Sequence, residues 1–267
     1  GNISGELTVL IPCRNEAKAL PHLLNDLQSQ SHPVRIVVID DASTDGTLRA
    51  AEAAGVTCIP AEGSGKKSAL ATGFRYVKTP WMATVDADVR LGADWARSLL
   101  ATAVREDAAC VLGGVVISTE PSTAWHRFQR LEFAVMQTWI AGGVQSGRLA
   151  MGSGANSLYA TADYPVDALH PELASGDDAF ALLALQQADK AIQWCGGADA
   201  QVSTSAAPNW KALWQQRARW ASKTGGQDAE TRRTALTIAA VHAVPVALAI
   251  SALVTDGTAG WRMLVGF

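Results

Sequence analysis

The first part of the sequence alternates short apolar runs with segments whose apolar residues recur at helical spacing. Residues 7–11, 34–39 and 56–59 are largely apolar runs, the pattern of strands buried on both faces of a sheet. Between them, residues 20–27 and 48–54 carry the spacing of amphipathic helices. This β-α-β-α-β order predicts an α/β fold with a doubly wound, mostly parallel sheet.

The alternation continues along the chain with longer helical segments. Further strands are predicted at 81–85, 110–117, 192–195 and 200–204, with another after Asn156. A helix is expected over 94–105 and a second over 122–140, followed by a flexible link at Gly142, Gly143 and Gly147. The helix at 122–140 has two interpretations: it packs on the core, or it lies at a membrane surface or beside an acceptor.

Carboxylates follow the predicted strands where those strands end. Asp86 and Asp88 come directly after the strand at 81–85, and two residues apart they suit a hard divalent cation that also takes phosphate oxygens. Asp41 follows the second strand, and Glu16 lies in the loop after the first. The crevice outside the C-terminal strand ends is where such sheets bind ligands. Helix capping is the alternative, and Asp45 is the residue best placed for that structural role.

A glycine and lysine loop precedes the next helix, predicted over 68–76. Its sequence departs from a Walker A motif because Lys67 separates Gly65 and Lys66 from Ser68. A flexible loop with Lys66 before a helix still suits an anionic ligand. The alternative is a solvated lysine pair on a surface turn.

Two further stretches have chemical potential. Asp177 and Asp178 begin a strongly apolar helix, where capping and the helix dipole explain one carboxylate. The second is a candidate general base, a role that requires a raised pKa. Tryptophans and arginines then cluster over 210–220. Arginine suits the binding of phosphate oxygens, and tryptophan suits stacking on a sugar ring. An amphipathic helix with an aromatic core stripe is the other interpretation.

The composition narrows the class of protein. The 267 residues carry a formal net charge of −3, which gives no basic footprint for nucleic acid. Four scattered cysteines lie in or beside apolar stretches, as expected of buried, reduced thiols in a cytosolic compartment. The chain begins without methionine and is expected to be a fragment or to carry the remnant of a tag.

Residues 234–254 contain no Asp, Glu, Lys or Arg and are long enough to cross a bilayer as a helix. Arg232 and Arg233 precede this segment and predict that the preceding domain faces the cytoplasm. The expected organisation is a domain over 1–230 and a C-terminal hydrophobic segment over 231–267. A buried core helix is the alternative for 234–254.

Taken together, the motifs resemble those of the family 2 glycosyltransferases, which have the GT-A fold. The resemblance covers about residues 7–223, and its motifs occur in the family's order. They are the segments 10–16 and 38–46, Gly65-Lys66 with Ala69, Leu70 and Gly73, the Asp86-Ala-Asp88 metal motif, Gly176-Asp177-Asp178, and Gln216-Arg-Ala-Arg219-Trp220. The family's motif at Gly176-Asp177-Asp178 reads Gly-Glu-Asp, so Asp177 shortens one side chain beside the base.

The resemblance implies a role for each matched position. Glu16, Asp41, Lys66 and Asp86 would bind the nucleotide sugar, with a UDP-sugar as the expected donor. Asp86 and Asp88 would bind Mg²⁺ or Mn²⁺, and Asp178 would be the catalytic base. The remaining matched residues would frame the acceptor and the diphosphate: Asp177, Gln216, Arg219 and Trp220.

The expected function is therefore inverting, metal-dependent transfer of a sugar to a hydroxyl acceptor by a membrane-associated enzyme. A lipid or membrane glycan is preferred as acceptor, because a polymer-exporting synthase needs several membrane spans. A processive polysaccharide synthase and a non-catalytic nucleotide or glycan scaffold remain alternatives. A nucleotidyltransferase is disfavoured because residues 12–16 lack the glycines that such enzymes carry after the first strand.

Overall fold

The computed structural model describes residues 6–118, 120, 123–147, 152–169 and 177–222. For residues 177, 178 and 219–222 it describes the backbone only. The chain divides into two compact units, Gly1–Trp210 and Lys211–Phe267. The predicted boundary after residue 230 lies outside the described residues and stays a prediction.

The first unit is built on two sheets. The strands are β1 (Leu7–Cys13), β2 (Val34–Asp40), β3 (Thr57–Pro60), β4 (Trp81–Val85), β5 (Arg90–Leu91), β6 (Cys110–Gly113), β7 (Val115–Ile117), β8 (Asn156–Ala160), β9 (Ile192–Cys195) and β10 (Val202–Thr204). The larger sheet has the order β3-β2-β1-β4-β8-β6-β9, and the smaller has the order β5-β10-β7. In the larger sheet β8 runs antiparallel to both its neighbours and the other pairs are parallel, so the predicted α/β fold with a mostly parallel sheet is confirmed.

Helices connect these strands along the chain. They are α1 (Leu20–Gln28), α2 (Thr47–Ala53), α3 (Lys66–Phe74), α4 (Trp95–Glu106), α5 (Ala124–Gln145), α6 (Asp177–Gln187) and α7 (Trp210–Ser222). The hydrophobic core joins Leu10 and Ile39 of the central strands to Leu70 of α3 and to Ile140 and Leu182 of the later helices.

The strand predicted over 110–117 is two strands in different sheets. The chain turns at Gly113 and Gly114, so that β6 stays in the larger sheet and β7 joins the smaller one. A Cβ at Gly113 would lie 2.3 Å from the Asn156 amide nitrogen and 2.6 Å from the Ala200 carbonyl oxygen. The expectation of a single strand was wrong because this close approach of backbone to a buried amide breaks the run.

Asn156 holds the two sheets together. Its side chain is fully buried, and its amide donates to the carbonyl oxygens of Gly114 at 2.9 Å and Ala200 at 2.8 Å. Its amide oxygen accepts from the indole nitrogen of Trp95 at 2.9 Å. One side chain therefore satisfies polar groups from α4, from the turn between β6 and β7, and from the segment before β10.

The predicted glycine link after residue 140 is instead the last part of α5. The helix continues through Gly142 and Gly143 to Gln145. Ile140 and Val144 are both buried on the core side, so tertiary packing outweighs the cost of about 1 kcal/mol that each helical glycine adds.

Among the described residues, no helix combines the length and the apolar character that crossing a bilayer requires. The predicted spanning segment 234–254 lies outside the described residues and stays a prediction. The four cysteines are unpaired thiols, with Cys13, Cys110 and Cys195 buried as predicted and Cys58 half-buried.

Candidate active site

The predicted donor-binding residues lie at one edge of the larger sheet. Strands β1, β2 and β4 are parallel and neighbouring, with Cys13 paired to Asp40 and Leu10 paired to Thr84. Their C-terminal ends therefore meet at the same edge, and the loops that follow carry Glu16, Asp41 and the Asp86-Ala-Asp88 motif. The amide of Asp41 donates to the Cys13 carbonyl oxygen at 2.9 Å, which joins two of these loops directly.

Glu16 and Asp88 both have raised pKa values, and the charge of Asp86 contributes to each. Burial raises the pKa of Glu16, and the charges of Asp88 and Asp86 raise that pKa further. Burial is also the first cause of the raised pKa of Asp88, followed by the charge of Asp86. Lys66 and a hydrogen bond with Thr204 act in the opposite direction on Asp88. The loops after β1 and β4 thus bring three carboxylates into one electrostatic cluster.

This cluster matches the donor set of an open cation site. Within the described part of the chain, no three His, Cys, Asp or Glu side chains have the arrangement of a complete metal site. Asp86 and Asp88 supply hard carboxylate oxygens and leave coordination positions for water and phosphate oxygens, as Mg²⁺ prefers. Close carboxylates of like charge are stabilised by a cation between them. The residues present therefore fit a divalent ion that a diphosphate helps to hold.

Lys66 lies within this cluster and is not a solvated surface lysine. Its ammonium nitrogen lies 2.6 Å from the Asp86 carboxylate oxygen, and both side chains keep part of their surface in solvent. α3 begins at Lys66, two residues earlier than predicted. The charged end of Lys66 is thereby placed beside the Asp86-Ala-Asp88 motif, where an anionic ligand would meet it.

Gly65, just before α3, fixes this geometry. Its backbone has φ +89°, a conformation that side-chain-bearing residues rarely adopt. The Gly65 amide donates to the Asp41 carboxylate at 3.0 Å, and the Arg14 guanidinium lies 3.6 Å from the same carboxylate oxygen. Asp41 therefore joins the loop after β2 to the start of α3, next to Lys66.

Asp45 has a structural role in this loop but is not the cap of α2, because the N-cap position is Gly46 and no side chain caps the helix. The Asp45 carboxylate accepts from the amide and hydroxyl of Thr47 and from the Ala17 amide, and the Thr47 hydroxyl is the main cause of its lowered pKa.

Asp40 differs from Asp41 and Asp45 in the hydrogen bonds of its carboxylate. One of its oxygens accepts from the Ser43 amide, and the other is buried with no hydrogen-bond partner among the described residues. A buried carboxylate oxygen in that state suits a donor brought by a ligand.

Lys67 was not predicted as a site residue, yet its side chain contacts α6 from the start of α3, beside the edge formed by the C-terminal ends of β1, β2 and β4. Its side chain is 3% exposed, and its ammonium nitrogen lies 4.4 Å from the ring centroid of Phe180. Phe180 belongs to the first turn of α6, which begins at Asp177. The sequence signal was the position of Lys67 three residues before the buried Leu70, on the inward face of α3.

Asp177 and Asp178 begin α6, as the sequence predicted, and their side chains lie outside the described part of the structure. Gln216, Arg219 and Trp220 belong to α7, with residues 211–222 in the second unit. The Gln216 amide oxygen accepts from the Arg217 guanidinium at 2.9 Å. The roles of these five residues stay predictions.

Comparison with known proteins identifies the class that this fold and site define. Residues 8–162 match the model of glycosyl transferase family 2. The chain therefore belongs to glycosyl transferase family 2, and the prediction of a glycosyltransferase is confirmed at the level of the family.

Similar proteins place the chain within that family. A segment of 89 residues is 42% identical to 4,4'-diaponeurosporenoate glycosyltransferase of Staphylococcus aureus strain bovine RF122 / ET3-1, covering 31% of this chain and 24% of that relative. The chain thus matches only about a quarter of that relative's length.

Solved structures share the fold at low sequence identity. Glucosyl-3-phosphoglycerate synthase from Mycobacterium tuberculosis, in complex with Mn²⁺, UDP and phosphoglyceric acid, has a TM-score of 0.59 at 16% identity and covers 85% of this chain and 81% of that one. TarS of S. aureus has a TM-score of 0.57 at 16% identity, covering 85% of this chain and 41% of TarS.

Proposed function

We propose that this chain carries an inverting, divalent-metal-dependent glycosyltransferase that moves a sugar from a UDP-sugar to a hydroxyl group of a lipid or membrane-associated glycan. The observation that carries the proposal is the convergence of Glu16, Asp41, Lys66, Asp86 and Asp88 at the C-terminal edge of β1, β2 and β4. This is the edge at which such a sheet binds nucleotides.

The donor side follows from the contacts of these residues. Asp41 and the buried oxygen of Asp40 would receive the polar groups of the nucleoside, close to Gly65. Asp86 and Asp88 would hold Mg²⁺ or Mn²⁺, which supplies positive charge to the diphosphate leaving group. Lys66 would turn from Asp86 toward the diphosphate when the donor binds. The diphosphate is anionic, as Asp86 is, and would lie beside the Asp86-Ala-Asp88 motif. UDP and Mn²⁺ in the related synthase support this choice of donor and metal.

On the acceptor side, we assign the role of general base to Asp178. The acceptor hydroxyl loses its proton to the Asp178 carboxylate while its oxygen attacks the anomeric carbon. The bond from that carbon to the diphosphate oxygen breaks on the opposite side, and the nucleoside diphosphate departs with the electron pair. A single in-line displacement of this kind inverts the anomeric centre.

The remaining predicted contacts complete the proposal. Asp177 would orient the acceptor beside the base, and Gln216, Arg219 and Trp220 would frame the acceptor and the diphosphate. Arginine suits this role because its guanidinium binds phosphate oxygens in pairs. The proposed location is the membrane, with residues 234–254 as the anchor and the catalytic unit facing the cytoplasm.

A panel of nucleotide sugars tests the proposal, with released nucleoside diphosphate as the readout. We expect release from one UDP-sugar with Mn²⁺ or Mg²⁺ and its loss in EDTA. Asp88→Asn should lower that release by about 100-fold or more, because the leaving-group charge is then poorly stabilised. Asp199→Asn, at an exposed carboxylate, is the matched control and should leave the rate unchanged. Equal release with and without EDTA would contradict the metal assignment, and pyrophosphate as product would indicate a nucleotidyltransferase.

A further inference from the structure

Helix α5 has an apolar stripe on its outward face in addition to the apolar residues that it buries. Its exposed positions include four large apolar side chains at helical spacing, Phe128, Leu131, Val135 and Trp139, which are 45%, 70%, 49% and 39% exposed. Soluble proteins usually turn such a stripe toward the core and place amides and charges outside. A contiguous exposed apolar face of this kind marks an interaction site.

The inward face of α5 carries two buried glutamines beside its buried apolar residues Phe133, Ile140 and Val144. The Gln129 side chain donates to the Ala207 carbonyl oxygen at 3.1 Å and accepts from the Ala207 amide at 2.8 Å. The amide oxygen of Gln137 accepts from the Val115 amide at 3.0 Å. These bonds fix the rotation of the helix about its axis, so the apolar stripe cannot turn inward without leaving buried backbone groups unsatisfied.

The charges on the outward face are mostly positive. Arg127 and Arg130 are exposed, whereas the one carboxylate of α5, Glu132, is half-buried. Both arginines also line a groove of about 740 Å³ between α5 and β7, whose other walls include Ile117 and Ala134. An apolar stripe beside arginines is the pattern of a helix that lies in the surface of an anionic bilayer.

The aromatic residues at the start of α5 extend this face toward the end of the first unit. The Trp125 ring lies 5.9 Å from Phe128 and 6.1 Å from Trp210, which is itself half exposed. Tryptophan prefers the boundary between lipid head groups and acyl chains. The chain leaves the first unit at Trp210 and continues to the apolar segment 234–254.

We propose that the outward face of α5, defined by Phe128, Leu131, Val135 and Trp139 with Arg127 and Arg130, docks on the surface of an anionic phospholipid bilayer. A second copy of the chain is a poorer occupant. An isologous contact would bring the two arginines of each copy together, and the single half-buried Glu132 of each face could not balance both of them. The inference does not depend on the proposed transfer reaction.

A fluorescent probe on the face tests the proposal in the whole chain, even when another segment anchors it. An environment-sensitive dye is attached at Leu131→Cys in a Cys58→Ser background, because the other native cysteines are buried. The matched control carries the dye at Val104→Cys, an exposed apolar position on α4. The protein is bound to vesicles of phosphatidylcholine with phosphatidylglycerol, with nitroxide-labelled lipid as the quencher.

We expect a blue shift and lipid quenching at position 131, with neither at position 104. Arg127→Gln together with Arg130→Gln should reduce the quenching, as should vesicles of phosphatidylcholine alone. Water-like emission at position 131 in vesicle-bound protein would overturn the proposal. A blue shift that appears without vesicles and grows with protein concentration would also overturn it, because a second copy would then cover the face.

Discussion

The part of the first unit from β1 to β4 and the part from β6 to β10 build the site in different ways. In the first part, neighbouring parallel strands each pass directly into a loop that carries a carboxylate. In the second part, β8 enters antiparallel between β4 and β6, and a separate small sheet is tied on by Asn156. The comparison indicates that the carboxylates of the proposed donor site are positioned by local order along the chain, whereas the region after β4 depends on long-range contacts.

The largest expected effect is on chemistry and comes from the start of α6. Asp178→Asn should lower kcat by about 100- to 10,000-fold, because general base catalysis contributes on that order. Binding of UDP with Mn²⁺, measured by calorimetry, should be unchanged. Asp167→Asn, an exposed carboxylate before α6, is the control and should keep full turnover. Retained turnover in Asp178→Asn would remove this residue as the base.

The next effect is on stability and breaks the second region alone. Asn156→Ala leaves the Trp95 indole and the carbonyl oxygens of Gly114 and Ala200 without their partner. Each buried polar group left unsatisfied costs about 1–3 kcal/mol, so urea unfolding should show a loss of about 3 kcal/mol or more. The exposed Asn25→Ala should change the free energy of unfolding by less than about 0.5 kcal/mol. A similar result for both variants would show that the two sheets are joined in another way.

Two adjacent lysines separate donor binding from acceptor positioning. Lys66→Met should raise the KM for the nucleotide sugar by about tenfold, since a charge-assisted contact is worth about 1.5–3 kcal/mol. Lys78→Met, at an exposed lysine beyond α3, provides the control with no change. A donor KM that stays constant in Lys66→Met would exclude a role for this lysine in binding the diphosphate.

Lys67 should act on the other parameter. Lys67→Met keeps most of the buried stem but removes the charge over Phe180, so we expect kcat to fall severalfold as the first turn of α6 shifts. The donor KM should stay close to that of the unaltered protein. Restoration of kcat by Lys67→Arg would support the positioning role, whereas a changed donor KM with constant kcat would contradict it.

The smallest effect concerns thiol reactivity in the first region. Burial, followed by the charge of Asp40, raises the pKa of the Cys13 thiol to about 12. A thiol with a raised pKa stays protonated at neutral pH, so Cys13 should resist alkylation in the folded protein and react once urea unfolds it. Mass spectrometry after iodoacetamide treatment measures this, with the half-buried Cys58 as the internal comparison. Rapid alkylation of Cys13 in the native state would show that the end of β1 opens.

The carboxylates at the C-terminal ends of β1, β2 and β4 were predictable, because the sequence patterns that indicate them are local. An apolar run followed by carboxylates defines a strand end and its loop, as at Asp41 and Asp86, and parallel strands bring those ends together. The hydrogen bond that the Gly65 amide donates to the Asp41 carboxylate was not predictable. That bond depends on the left-handed backbone of Gly65 and on a separation along the chain that no periodicity records.

Three other features required the structure for the same reason. The break at Gly113 follows from Asn156, which is distant in sequence. The continuity of α5 through Gly142 comes from core packing that outweighs glycine's low helix propensity. The burial of Lys67 depends on Phe180, which belongs to another helix.

The most direct test of the central claim is calorimetric titration of UDP into the protein with Mn²⁺ and, separately, with EDTA. The variants for comparison are Asp86→Asn and Asp88→Asn. We expect binding with Mn²⁺ that weakens by at least about tenfold in EDTA and in both variants, because the cation joins the two carboxylates to the diphosphate. Equal UDP affinity in all four measurements would contradict the account of this edge as a metal-dependent nucleotide-sugar site.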